Sequence, residues 1–337
     1  MQVFFDLFYF AGEYCYLFFD CNWYGKSFFQ SIIFFIMKDV FSDQVAMLFS
    51  TPITLTLVLL EIFISVRYDK HYYNVKDTKA NLVLGLGYMI TDTLSRGAGL
   101  FLLAVFYFYG LHFTFFSGHV IIYWILLVLS EDFTYWFMHL MDHKIRFLWA
   151  GHIHHHSSKE FNFSVGLRSA VFEPIEKFFF FIPLAFIGFR PLDIVLIYVL
   201  SQGWGTFVHT KTIKKLGPLE YIFTTPSHHR VHHGANIKYL DKNYGMFLII
   251  WDKIFGTFSA EDPGEPVKFG ALKNVDYKNY LDIIFNEYNQ IIKDTKQNIS
   301  FKQKLKYIFG PPGYSHDGSR KTTQQMQLEE GFQKNYE

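Results

Sequence analysis

Apolar positions in this chain come in long runs broken by short charged stretches, not in the one-faced pattern of a soluble helix. Residues 46–66 form the first run long enough to span a bilayer, for which roughly 20 residues are needed, and Glu61 is its one internal charge. Residues 81–110 form the second, interrupted by Asp92 and Arg96, and read either as one long bent helix or as two short ones. Residues 118–138 span once more and deliver His139 to the membrane surface. The run 178–203 is split by Gly188-Phe-Arg190-Pro191 into halves of about a dozen residues or fewer, too short for a comfortable crossing. The expectation is an all-α integral membrane protein.

Loop charge orients the spans. Residues 67–80 carry Arg67, Lys70, Lys76 and Lys79, whereas 111–117 carry no Lys or Arg. Basic loops favour the cytoplasmic side. With 81–110 crossing once, a histidine-rich helical cap that follows residue 138 therefore faces the cytoplasm. The flanks of the split run, 152–156 before it and His209 after it, have to meet, so 178–203 is expected to enter and leave on one side as a re-entrant hairpin. Two tilted crossings return the chain to that side equally well.

Around these runs the chain divides into four expected parts. Residues 1–45 are an aromatic-rich extension in which 28–37 is apolar but about half a span, and no basic segment marks a signal peptide. Residues 46–262 are the membrane-embedded domain with its histidine cap. Residues 263–309 are a helical C-terminal segment, with a helical alternation of charge over 277–309. Residues 310–337, opening on Pro311-Pro312-Gly313 and rich in Gln, are expected to be a disordered tail.

Eleven of the 15 histidines lie between His139 and His233. His139 and His143 are four apart; His152, His155 and His156 stand at i, i+3, i+4, and so do His229, His232 and His233. Such spacings put side chains on one helical face. The lone His209 sits between clusters at the end of the split run. These nine are the candidate metal ligands, and imidazole suits iron, zinc, copper and nickel. His154 and His228 fall out of register and are expected behind the ligands or towards solvent. Asp132, two turns before His139 on the same face, is a candidate to accept a ligand's second ring N–H. Asn162, Arg168 and Glu173 read as paired with one another or as anchors of a substrate head group, and Asn243 and Tyr244 as a turn or as catalytic residues.

Nine imidazoles exceed what one tetrahedral zinc takes, and two ions at four or five each would use them all. The Glu and Glu-x-x-His pattern of carboxylate-bridged bundles is absent. An all-histidine dinuclear site at the mouth of a membrane-embedded pocket suits O₂ chemistry on a lipid C–H bond. Zinc-dependent hydrolysis of a lipid ester or amide competes, with Asp132, Asp142 or Glu160 as its base, and so does a membrane protein whose metals are structural.

Composition strengthens the membrane reading: hydrophobic residues are 50%, aromatics 20% and charged residues 18%. A net charge of +1 excludes an electrostatic case for a nucleic-acid partner. Cys15 and Cys21 lie far from the histidines and add nothing to the metal argument.

Asp132-Phe-Thr-Tyr-Trp136-Phe-Met-His139…His143, Trp149-Ala-Gly-His152…His155-His156-Ser-Ser and Pro226…His229-Arg-Val-His232-His233 resemble the fatty acid hydroxylase/sterol desaturase superfamily. Leu216-Gly-Pro-Leu-Glu220, Asp241-Lys-Asn-Tyr-Gly245 and Ile249-Ile-Trp-Asp-Lys-Ile-Phe-Gly-Thr-Phe258 look especially like its alkylglycerol monooxygenase branch, and 310–320 looks like other sterol-desaturase relatives. The resemblance, over roughly residues 46–260, implies a membrane-bound di-iron monooxygenase with the nine histidines holding two Fe ions per chain. In that branch O₂ and a tetrahydropterin hydroxylate the carbon beside an ether oxygen, and the product falls apart to a fatty aldehyde and a glycerol. A sterol or fatty-acyl hydroxylase or desaturase is the alternative within the superfamily. The branch carries an acidic residue directly after its second histidine, where this chain has Lys144. No cytochrome b5-like segment is fused, so the implied reductant is external. The implied partners are a lipid substrate, O₂, that reductant and the membrane: endoplasmic reticulum in a eukaryote, inner membrane in a bacterium.

Overall fold

The computed structural model describes residues 52–111, 118–272 and 279–332. Among them the only β pairing is two isolated bridges, Phe223 with Leu248 and Gly234 with Phe269; everything else regular is helical. The first apolar run continues as a helix over 52–67 (α1), while 46–51 and the whole 1–45 extension lie outside the described residues.

The second run is one helix, α2 (Val75–Phe108), of 34 residues. It starts earlier than its hydropathy suggests because the Asn74 side chain accepts from Lys76 N and Asp77 N and so caps the first turn. At 1.5 Å per residue it is about 51 Å long, well beyond a 30 Å hydrocarbon layer. The third, α3 (Val120–Lys144), runs on through His139 and His143 instead of ending before them. Both are long and apolar enough to cross a membrane. Leu86, Met89 and Leu94 on α2 and Ile121 and Ile125 on α3 are exposed, Leu94 by 79%. Such a face suits lipid better than water.

The split run forms α5 (Glu173–Ile187) and α6 (Pro191–Phe207); α4 (Arg146–His156) lies between α3 and this pair in the chain. Gly188 ends α5 at φ 116°, a left-handed position, and Pro191 opens α6, where its missing N–H costs nothing. At 15 and 17 residues these helices are roughly 22 and 25 Å long. Apolar packing joins α2, α3, α5 and α6 through Leu100, Leu103, Leu127, Phe178, Phe181 and Ile194. Gly99 makes the closest approach possible, since a Cβ there would stand 2.2 Å from the Phe178 ring.

After α7 (Pro226–His232) the chain closes with α8 (Tyr280–Thr295), α9 (Phe301–Phe309) and α10 (Thr323–Glu329). The helical stretch expected over 277–309 is thus broken, because Ser300 and Gln303 form a capping box that starts α9 afresh. Where composition suggests a disordered tail, residues 310–332 are folded. The Gly310 carbonyl accepts from Arg146 N, Arg320 pairs with Asp294, and Gln327 donates to the carbonyls of Ile237 and Leu240. Buried Arg146 ties this C-terminal part to the start of α4 through Glu287 at 2.7 Å and Asp294 at 2.6 Å. Tail polarity here satisfies partners within the protein, which composition cannot reveal.

Candidate metal centre

The nine candidate histidines come together in two groups: His139, His143, His152, His156 and His232, and then His155, His209, His229 and His233. Within each group the ring nitrogens lie within 4.8 Å of one another. The last turn of α3 carries His139 and His143. The extended backbone of Ile145 then turns the chain so that α4 runs back past that face. On α4, His152 and His156 are one turn apart and reach the first group, while His155 points to the second. α7 divides likewise, His232 going to the first group and His229 to the second, joined by His233. Pro226 and a Thr225–His228 capping box start that helix. His209 arrives two residues beyond α6.

Backbone carbonyls orient the rings. Nδ1 of His139 donates to Tyr244 O at 2.8 Å, that of His155 to Arg168 O at 2.9 Å, that of His209 to Gly205 O at 2.6 Å, and that of His232 to Lys242 O at 3.0 Å. A neutral imidazole that gives its Nδ1 proton away presents a bare lone pair at Nε2. His155 and His209 hold two such nitrogens 3.3 Å apart, and His209 Nε2 lies 2.9 Å from His229 Nε2. In the other group His152 Nε2 is 3.1 Å from the Nε2 of both His139 and His156. Nε2 of His143 and of His232 is buried with no hydrogen-bond partner.

Lone pairs facing one another without a proton between them repel, and a cation among them removes that penalty. Two nitrogens bound to one ion at 2.0–2.1 Å stand about 3 Å apart, which is the spacing found here. Burial, reinforced by neighbouring imidazoles, pushes His152, His156, His209, His229, His232 and His233 well below the usual range, and burial pushes His155 down to about 4. The rings are therefore neutral, the form that binds a metal. The donor set fits a buried metal site, and iron accords with imidazole ligation.

Asp132 does not do what its helical face suggests. It accepts from Phe247 N at 3.1 Å, Leu248 N at 3.3 Å and Trp251 Nε1 at 2.9 Å, and from no histidine. Two turns put it about 10 Å along the axis from His139. A carboxylate that acts on His139 only through the backbone is Asp252, which sequence reasoning missed. It accepts from Tyr244 N at 2.9 Å, Gly245 N at 2.7 Å, Thr257 Oγ1 at 2.6 Å and Trp136 Nε1 at 3.1 Å, and so aims the Tyr244 carbonyl at His139. Asn243 stands at φ 58° in irregular backbone and ties distant segments together, donating to His228 O and Ser259 O.

Asp241, also overlooked, lies 3.6 Å from His143 Nδ1 and pairs with Lys144. Burial raises its carboxyl, but His143 and Lys144 outweigh burial and hold it below the usual range. Lys144 thus compensates a carboxylate beside the site.

His154 and His228 are both buried, so neither faces solvent. His154 Nε2 accepts from Val171 N, and His228 Nδ1 from Thr225 N. Asn162, Arg168 and Glu173 take structural partners, though not one another: Tyr72 O, Asp77 and Tyr198 OH respectively. A cavity of about 30 Å³, the size of one or two waters, lies against both histidine groups and is also lined by Tyr135, Ala170, Glu173, Gln202, Thr206 and Met246.

Residues 124–257 match the family model described as Fatty acid hydroxylase. The chain is similar to alkylglycerol monooxygenase of Homo sapiens, with 40% identity over 195 residues, 57% of this chain and 42% of that protein. The Danio rerio alkylglycerol monooxygenase is 33% identical over 272 residues, covering 79% of this chain and 59% of the relative. An ornithine lipid hydroxylase of Rhizobium tropici is 34% identical over 141 residues, 39% of this chain and 40% of that one. The chain spans about half the length of the curated relatives it matches. No solved structure matches. The resemblance to the superfamily, and to its alkylglycerol monooxygenase branch, is borne out.

Proposed function

We propose that this fatty acid hydroxylase-like chain is a membrane-bound di-iron monooxygenase that hydroxylates a lipid C–H bond with O₂, with alkylglycerol ethers as its substrates. The observation that carries the reading is the division of nine neutral imidazoles into a group of five and a group of four with their nitrogens converging. His139, His143, His152, His156 and His232 would hold one ion, and His155, His209, His229 and His233 the other. When bound, the iron pair supplies activation of O₂, with one oxygen entering the C–H bond and the other leaving as water at the cost of two electrons. Those electrons come from an external donor, a tetrahydropterin on the alkylglycerol reading.

The chain's own residues do the rest. The carbonyls of Tyr244, Arg168, Gly205 and Lys242 hold four ring protons away from the centre and keep each imidazole in its ligating tautomer. Phe161 is buried against His209, with ring centroids at 5.5 Å, and excludes water from that edge. A carbon beside an ether oxygen is the susceptible position, because the oxygen lone pair weakens its C–H bond. The hydroxylated product is a hemiacetal, whose C–O bond breaks as its hydroxyl proton passes to the departing glycerol oxygen, leaving a fatty aldehyde. Of the bases that zinc hydrolysis would need, Asp132 is held by Phe247, Leu248 and Trp251, and Glu160 lies 3.6 Å from Lys211. That leaves buried Asp142, 3.9 Å from His152 Nδ1, as the base of that second reading.

The test is metal content after anaerobic loading of the detergent-purified protein with Fe(II). About two irons per chain are expected, followed by turnover of alkylglycerols that depends on tetrahydropterin. Zinc that iron cannot displace, or less than one metal per chain, would overturn the reading. Sterols or fatty acyl chains turned over in preference to ether lipids would move the substrate within the superfamily.

The same proposal places the histidine cap on the cytoplasmic side and α5–α6 as a re-entrant hairpin, supported by helices shorter than a 30 Å hydrocarbon layer. A cysteine at position 70 should then react with a membrane-impermeant maleimide from the cytoplasmic side alone, and one at position 190 from neither side. Labelling at 190 from the far side would mean two crossings.

A further inference from the structure

A second cavity, of about 170 Å³, lies among α1, α2, α5 and α6. Gln202 and Thr206 line both cavities, so these side chains form a shared wall between this space and the histidines. At about 10–15 Å³ of such space per water, the second cavity has room for a polar group several atoms long. Most of its lining is apolar, with an ionic network set into one side. Asp92 accepts from Lys177 Nζ at 2.8 Å and from Arg96 Nε at 3.1 Å, and Lys177 Nζ sits 4.4 Å from the centre of the Tyr198 ring. The Tyr88 and Tyr198 hydroxyls are 3.2 Å apart, and Tyr198 donates to Glu173 on the wall of the histidine cavity. Ionisable groups deep in apolar helices are costly and mark binding paths. An ion pair that only joined α2 to α5 would need no open space beside it.

At the shared wall Gln202 Nε2 is buried and has no hydrogen-bond partner. The Tyr135 hydroxyl is the acceptor beside this amide, and with no bond made within normal distance the donor is open to an entering oxygen. The two carboxylates near the space, Asp92 and Glu173, balance the two cations, Arg96 and Lys177, so the lining offers hydrogen bonds of both senses without a net charge. That is the complement of a neutral polyol. A phosphate or free carboxylate would meet Asp92 and Glu173.

We propose that this cavity binds the hydroxyl-bearing end of a neutral glycerolipid, with Gln202 donating to an oxygen next to the carbon presented to the histidines. The inference rests on the lipid-oxidising reading above and names the group that sets its substrate. Gly203 permits a direct test. It lines the cavity, and a Cβ added to it meets nothing within 4 Å, so Gly203→Phe adds a ring at the cavity's edge with no clash at its Cβ.

The probe is a 1-O-alkylglycerol with a diazirine on the first methylene groups, photolysed with metal-free protein in nanodiscs and mapped by peptide mass spectrometry. Cross-links are expected within 88–96 and 195–206. Gly203→Phe should lower them by about tenfold or more and Gln202→Leu should weaken binding by about tenfold, the loss of one hydrogen bond, while iron uptake stays as in the unaltered chain. Cross-links elsewhere, undiminished labelling of Gly203→Phe, or equal competition by cholesterol would overturn the proposal. Because the protein is metal-free, labelling without later turnover would sink the oxidation reading alone. Turnover of alkylglycerols without labelling of this cavity would sink the inference alone.

Discussion

His209→Ala is expected to bind about one iron per chain instead of two and to lose more than 100-fold in turnover, since disturbing the partners of a ligand alone costs 10–100-fold. His209 is the hub of the four-histidine group, its Nε2 lying 3.3, 2.9 and 3.2 Å from those of His155, His229 and His233. His232→Ala is the complementary case and should empty the five-histidine group while sparing the other. His228→Gln serves as the control: His228 is buried on the same helix, but its ring takes the Thr225 N–H instead of facing the centre, so both irons should remain. Metal analysis by mass spectrometry decides this before any assay, and two irons in either alanine variant would refute the division into groups.

Asp252→Ala should be the most damaging change at a residue that touches no candidate ligand. One carboxylate receives four donors, from Tyr244 N, Gly245 N, Thr257 Oγ1 and Trp136 Nε1. Each buried donor left unmade costs about 1–3 kcal/mol. Water can reach some of them after truncation, so the expected loss is about 3–5 kcal/mol, at the upper end for one substitution. A second effect separates this residue from a mere fold anchor. Releasing Tyr244 frees the carbonyl that fixes the His139 tautomer, and metal affinity in the folded fraction should fall by about 10–100-fold. Denaturation midpoints and iron competition against a chelator measure the two losses. Full iron affinity in the folded variant would reduce Asp252 to a structural role.

Much of the candidate centre is already written in local spacing. Histidines at i, i+3, i+4 share a helical face whatever surrounds them, so three of the four sources of ligands were legible, and His209 followed from its place between them. Run lengths likewise anticipated α2, α3 and the interrupted pair α5–α6, because the burial of apolar residues depends on counts that a chain displays openly.

Partition and orientation belong to the tertiary structure. His155 and His156 are neighbours in the chain yet serve different groups, which depends on how α4 is rotated against α3 and α7. The acceptors that set the ring tautomers are carbonyls, and every residue has one, so nothing in the side-chain sequence singles out Tyr244, Arg168, Gly205 or Lys242. Asp132 and Asp252 show the same limit between carboxylates. Asp132 shares a face with His139 but bonds to a loop 115 residues away, whereas Asp252 stands far along the chain and supports the histidine after all. The ordered stretch 310–332 follows suit, its polar side chains being satisfied by partners such as Asp294 and the Ile237 carbonyl. Local periodicity chose which side chains can bind a metal; packing between distant segments chose which way they point.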